Sequence, residues 1–150
     1  MANIKNLLKD DVQLIPGKAT NATSIGALRA AGVKSIGLYY SAHWCPPCRG
    51  FTPALAEMYS AMVEAGRKDV EIIFVSCDRD EKTFTEYHNT MGFAAFPFQA
   101  TEIKQSLMEA LQVSGIPTLA TVDLETGAVI TKEGRNKATS DKKGESFPWR

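Results

Sequence analysis

Cysteine is scarce in this chain of 150 residues: there are three, an odd number and too few to staple a disulfide-rich secreted scaffold. Excess charge is absent too. Seventeen Lys and Arg offset seventeen Asp and Glu, giving a formal net charge of +0. No global field therefore draws the chain toward nucleic acid or anionic lipid. No apolar run approaches the ~18 residues of a bilayer crossing, so neither nucleic acid nor membrane is an expected partner. The opening segment is interrupted by Lys5, Lys9 and Asp10 and lacks the apolar stretch of a secretory signal, so a cytoplasmic protein is expected. No Gly-rich nucleotide or flavin fingerprint is present, so no cofactor is expected and electrons for any redox reaction come from another reductase. Repeats and low-complexity tracts are missing as well. With 44% hydrophobic and 23% charged residues, the composition predicts one globular domain over residues 1–150, and a monomer is expected.

The hydrophobic pattern predicts an α/β fold. Val12 to Ile15 reads as a short strand stopped by Pro16-Gly17, and Ser24 to Ala31 as a helical turn ending at Gly32. Ser35 to Tyr40 is a short apolar run of the kind found in buried strands. Phe51, Leu55, Met58, Met62 and Val63 then recur at helical spacing up to Gly66, with Pro53 expected to kink that helix near Arg49. Val70 to Ser76 is almost wholly apolar, as a central parallel strand covered on both faces should be. Asp80 and Thr101 are candidate N-caps for two further helices, the first carrying Phe84, Tyr87 and Met91, the second Ile103, Leu107 and Leu111. Thr118 to Asp123 and Ala128 to Lys132 read as an antiparallel pair around Gly127. The expectation is a central mixed β-sheet flanked by helices on both faces.

Two of the three cysteines stand as Cys45-Pro46-Pro47-Cys48 at a strand-to-helix junction. Unpaired N–H groups and the positive dipole end of a helix N-terminus stabilise a thiolate at Cys45. Such a thiolate attacks a disulfide, and the mixed disulfide is resolved by a second thiol one helical turn on, Cys48. Cys45 is thus expected as the exposed nucleophile and Cys48 as the more buried resolving thiol. Pro46 suits the first helical turn, and the two prolines restrict the loop. Half a zinc site is the competing reading, but Cys77, His43 and His88 do not form a second ligand pair, and no metal is expected. Ile116-Pro117-Thr118 precedes a strand; a cis Pro117 there would expose the Ile116 backbone for pairing with an extended substrate segment.

The motif Trp44-Cys45-Pro46-Pro47-Cys48 and its continuation Arg49 to Pro53 resemble the tryparedoxin and nucleoredoxin branch of the thioredoxin superfamily. The resemblance extends through Tyr39 to Ala42, Asp78 to Glu81, Phe96-Pro97-Phe98 and Gly115 to Leu119, as far as the closing Phe147-Pro148-Trp149. It implies a thioredoxin fold and a dithiol electron carrier. Its implied donor is trypanothione or another dithiol, and its implied acceptors are peroxiredoxin- or glutathione-peroxidase-type proteins. By position, Cys45 and Cys48 form the redox pair, Trp44 shields them, Pro117 is the cis proline, and Tyr39 and Asp78 lie near the site. The sequence departs from the family at His43, usually a small hydroxyl residue, at Met91-Gly92-Phe93, usually Met-Pro-Trp, and around Lys132 to Arg135. There Arg135 is the candidate for an arginine expected near bound trypanothione.

Other residues carry alternatives. His43, if protonated, tunes the dithiol; otherwise it is an exposed loop histidine. Cys77 reads as a small apolar filler and Trp44 as a substrate-facing platform. Asp78 either moves a proton during resolution or caps its loop. Phe147 and Trp149 are expected to anchor an otherwise polar tail, residues 136–145. Three functions stay open: a tryparedoxin-like carrier, a nucleoredoxin-like regulator with a different donor, and a disulfide-recognising binding module with little turnover.

Overall fold

The computed structural model describes residues 3–150, so Met1 and Ala2 of the expected domain span lie outside the described residues. Ser35–Ser41 (β1), Val70–Ser76 (β2), Ala94–Ala95 (β3), Thr118–Asp123 (β4) and Val129–Thr131 (β5) form one sheet in the order β3-β2-β1-β4-β5. β1 runs parallel to β2, with Ser41 opposite Ser76, and antiparallel to β4, with Tyr40 opposite Thr118. A parallel pair needs a crossover, and the helix α2 over Pro46–Glu64 supplies it, running unbroken through Pro53.

Helices cover both faces, which is why β1 and β2 are apolar at nearly every position rather than at alternate ones. Ile36, Leu38 and Tyr40 share one core with Ile73, Val75, Ala120 and Val122 of the neighbouring strands. Leu28 of α1 (Ile25–Ala30) and Leu107 of α4 (Thr101–Ala110) close that side. Tyr39, Ile72, Phe74 and Leu119 point the other way and pack with Phe51, Leu55 and Met58 of α2 and Phe84 of α3, Glu81–His88. Gly37 belongs to this second face. A Cβ there would lie 3.2 Å from Phe147 Cζ and 3.1 Å from Leu119 Cδ1, so its missing side chain makes room for the ring of Phe147.

Side-chain caps open α1 and α3. Ser24 Oγ accepts the Ala27 N–H at 3.0 Å, and Asp80 Oδ1 accepts the Thr83 N–H at 2.8 Å. Thr101 does not cap α4: it is the first helical residue, Ala100 occupies the cap position, and no side chain satisfies that end. The expected strand at Val12 to Ile15 reduces to isolated bridges, Gln13 to Ser24 and Ile15 to Ala95. Pro16 has no N–H with which to continue the pairing. The polar segment near the end is partly helical, as α5 over Gly134–Ser140, with Ala138 buried against the sheet's second core.

His88 closes α3 inside the core. Its ring stacks on Phe84 at 5.7 Å, and its Nε2 lies 2.7 Å from the carbonyl oxygen of Phe93, placed for the neutral ring to donate. Burial holds its pKa below the ordinary 6.5. Below that value the unfolded chain takes up a proton that the folded chain still refuses, so stability falls as pH drops through the unfolded pKa and levels off below the folded one. Denaturant midpoints are expected to fall between pH 7.5 and 5, by less in His88→Gln than in wild type.

Candidate active site

β1 ends at Ser41 and β2 at Ser76 where the antiparallel β4 begins at Thr118, so loops from three strands meet at one end of the sheet. The N-terminus of α2 starts there. Cys45 is its N-cap, extended at φ −95 and ψ 110, and its Sγ accepts the Cys48 N–H at 3.4 Å. Pro46 and Pro47 fill the first two helical positions, where a missing N–H leaves no bond unmade.

The expectation of an exposed Cys45 needs correction. Cys45 is 5% exposed and Cys48 0%: both are buried, and Cys45 is only the more open of the two. Ala42, Ile116 and the partly buried Cys77 pack around the pair. The Ile116–Pro117 peptide is cis, and the Ile116 carbonyl oxygen lies 3.8 Å from Cys45 Sγ. Burial above all, and then the neighbouring Cys45 sulfur, push the Cys48 thiol up to about 11, against the pull of the Ala42 backbone and the Ser41 hydroxyl. Burial also raises Cys77, whose packing fits the role of apolar filler.

Trp44 is 47% exposed beside the cysteines; its indole N–H donates to the Cys77 carbonyl at 3.0 Å, and the Arg79 guanidinium sits 4.9 Å over the ring. That fixes an aromatic face at the rim. Asp78 braces the loop before it. Oδ1 accepts the backbone N–H of His43 at 2.8 Å and Oδ2 the Ser76 hydroxyl at 2.7 Å, so both of its oxygens serve as loop anchors. Asp78→Ala is expected to destabilise the protein by about 1–3 kcal/mol and to slow disulfide reduction. Asp78→Asn, which keeps one acceptor oxygen, should be milder in both the denaturant midpoint and the turnover assay. The exposed His43 ring packs edge-on against Tyr87, with centroids 5.3 Å apart. Arg135 is exposed on α5.

Sequence reasoning missed three residues under the dithiol. Tyr39, a predicted neighbour of the site, has its Oη 2.6 Å from Thr52 Oγ1. Thr52 Oγ1 is 2.5 Å from Tyr87 Oη, which is 2.7 Å from Ser41 Oγ. All four side chains are buried. The available signal was weak: an N-terminal-half threonine of a core helix and a tyrosine on the apolar side of another. Among the described residues no group of three or more His, Cys, Asp or Glu could hold a metal ion, and no helix is long and apolar enough to cross a membrane.

A thioredoxin-like family profile matches residues 32–129. Tryparedoxin from Trypanosoma brucei brucei is 37% identical over 137 residues, 90% of this chain and 94% of that one. Nucleoredoxin from Bos taurus is 44% identical over 114 residues, 76% of this chain but only 26% of nucleoredoxin. Among solved structures, tryparedoxin from Trypanosoma brucei superposes with a TM-score of 0.82 at 36% identity, covering 99% of both chains. A tryparedoxin II complexed with glutathionylspermidine gives 0.82 at 31% identity, covering 97% of each. The chain belongs to the thioredoxin-like family, on the branch that holds the tryparedoxins and nucleoredoxins. It is a thiol–disulfide oxidoreductase.

Proposed function

We propose that Cys45 is the attacking thiol and Cys48 the resolving one in a dithiol carrier that reduces protein disulfides. The supporting observation is Cys45 at the N-cap of α2, its sulfur accepting the Cys48 N–H, with Cys48 one turn deeper and more closed. Attack by the Cys45 thiolate on the substrate disulfide breaks its S–S bond, joins Cys45 to one substrate sulfur and releases the other as a thiolate. Attack by Cys48 then breaks that mixed disulfide, releases the second substrate thiolate and leaves the Cys45–Cys48 disulfide. The substrate gains two electrons and the protein dithiol loses two. Trp44 and the Ile116 backbone form the rim on which an extended partner segment lies.

The donor in this reading is a low-molecular-weight dithiol of the trypanothione class, and the acceptors are peroxiredoxin- or glutathione-peroxidase-type proteins. Support comes from likeness to tryparedoxins over nearly the full chain, one of them solved with glutathionylspermidine. Turnover with trypanothione, glutathione and thioredoxin reductase as competing donors tests it; trypanothione should be preferred, and equal or better rates with thioredoxin reductase would reverse the choice. The nucleoredoxin reading draws on the higher local identity of 44% and predicts that reversed order.

A further inference from the structure

Resolution requires Cys48 to ionise where it is fully enclosed, and no carboxylate accepts a hydrogen bond from it there: both oxygens of the nearby Asp78 are held by His43 and Ser76. Hydroxyls take that place. The Ser41 hydroxyl pulls the Cys48 pKa down against burial; Tyr87 Oη backs Ser41 at 2.7 Å, Thr52 backs Tyr87, and Tyr39 Oη backs Thr52 at 2.6 Å, all four side chains buried beside the dithiol helix. The four come from β1, α2 and α3, so their meeting belongs to the tertiary fold and not to any local motif.

We propose that Ser41, Tyr87, Thr52 and Tyr39 form a reversible donor chain whose hydroxyls turn together toward Cys48 when its thiolate forms, making them positioning residues for the resolving step. Each hydroxyl carries one hydrogen, and each link can run in either direction. With Cys48 as a thiolate, the order Tyr39 to Thr52 to Tyr87 to Ser41 delivers an O–H to the sulfur, and each donor polarises the next. No proton is stored: the one Cys48 gives up ends on the departing substrate thiolate, through solvent. The Cys48 thiolate attacks Cys45, the bond from Cys45 to the substrate sulfur breaks, and its electron pair leaves with the substrate. The other titratable groups around Cys48 are Cys45, Tyr39, Tyr87 and Cys77, and Tyr87 carries the His43 ring on its edge.

The inference rests on Cys48 being the resolving thiol, which Cys48→Ser tests separately by trapping the mixed disulfide. The closing experiment keeps both cysteines and follows, by rapid quench and mass spectrometry, the formation and decay of the mixed disulfide with a peptide disulfide. Ser41→Ala and Thr52→Val should slow decay by about tenfold or more at pH 7, the loss expected when an ion loses its hydrogen-bond support. Formation should change much less, and Thr52→Ser should restore decay; the deficit should hold constant well below the Cys48 pKa and shrink only as pH passes through it. Equal slowing of formation and decay, decay in Thr52→Val at the wild-type rate, or a Thr52→Ser variant as slow as Thr52→Val would overturn the proposal. Tyr87→Phe repeats the comparison at the middle of the chain should Thr52→Val fail to fold, with decay at the wild-type rate as the contrary result.

Discussion

Cys45→Ser should reduce disulfide turnover by roughly a thousandfold or more, because a serine hydroxyl at the same place stays protonated and is a far weaker nucleophile toward sulfur. Cys48→Ser should fail differently. It retains the first attack and stops there, so that one equivalent of partner stays bound through Cys45 and is released by added dithiothreitol. The asymmetry follows from geometry. Cys45 holds the helix cap, accepting the Cys48 N–H on the more open side of the site, whereas Cys48 lies a turn inside with a pKa pushed up to about 11, mainly by burial. Turnover assays of both variants against insulin, with intact-mass measurement of the trapped species, separate the two roles. A covalent complex trapped by Cys45→Ser and not by Cys48→Ser would exchange them.

Phe147→Ala carries the largest expected effect on stability, a loss of about 3–5 kcal/mol, as for a buried aromatic truncated in a packed core. Phe147 is 2% exposed, although it stands three residues before the end of the described chain. Its ring lies over Gly37 in the central strand and meets Trp149 edge-on at 4.9 Å, and its carbonyl accepts Arg67 Nη2 at 2.8 Å. The closing segment therefore completes the second core of the sheet. Gly37→Ala attacks the same contact from the other side, since its methyl would press on Leu119 and Phe147. Urea unfolding with an unchanged m-value should show both losses as lower midpoints. A Phe147→Ala loss below about 1 kcal/mol would mean that the tail packs without contributing to the core.

Long apolar elements were readable from sequence because burial on both faces leaves a strong mark: β1, β2 and β4 appear as runs, and α2 as a heptad-like stripe from Phe51 to Met62. Short or polar elements were not. β3 is two alanines held by pairing to Ile73 and Phe74, and α5 buries only Gly134 and Ala138, so neither has a pattern long enough to recognise. Thr101 has the right side chain for a cap but sits one residue late, and Ala100 leaves that end to its backbone. At the site, the Cys45–Cys48 spacing and Pro117 point to the chemistry because both lie in local motifs. The enclosure of Cys45 does not, since its cover comes from Ile116, 71 residues away. The hydroxyl chain is hidden for the same reason: its links span 13, 35 and 46 residues.

Limited alkylation of the fully reduced protein at pH 7, followed by peptide mapping, tests the division of labour among the three thiols most directly. Iodoacetamide below one equivalent should label Cys45 first, well ahead of Cys48 and Cys77, whose thiols burial holds in the protonated form. Label arriving first on Cys48 or Cys77, or a Cys45 that reacts no faster than a free cysteine thiol, would contradict a mechanism in which the sulfur at the helix cap opens every cycle.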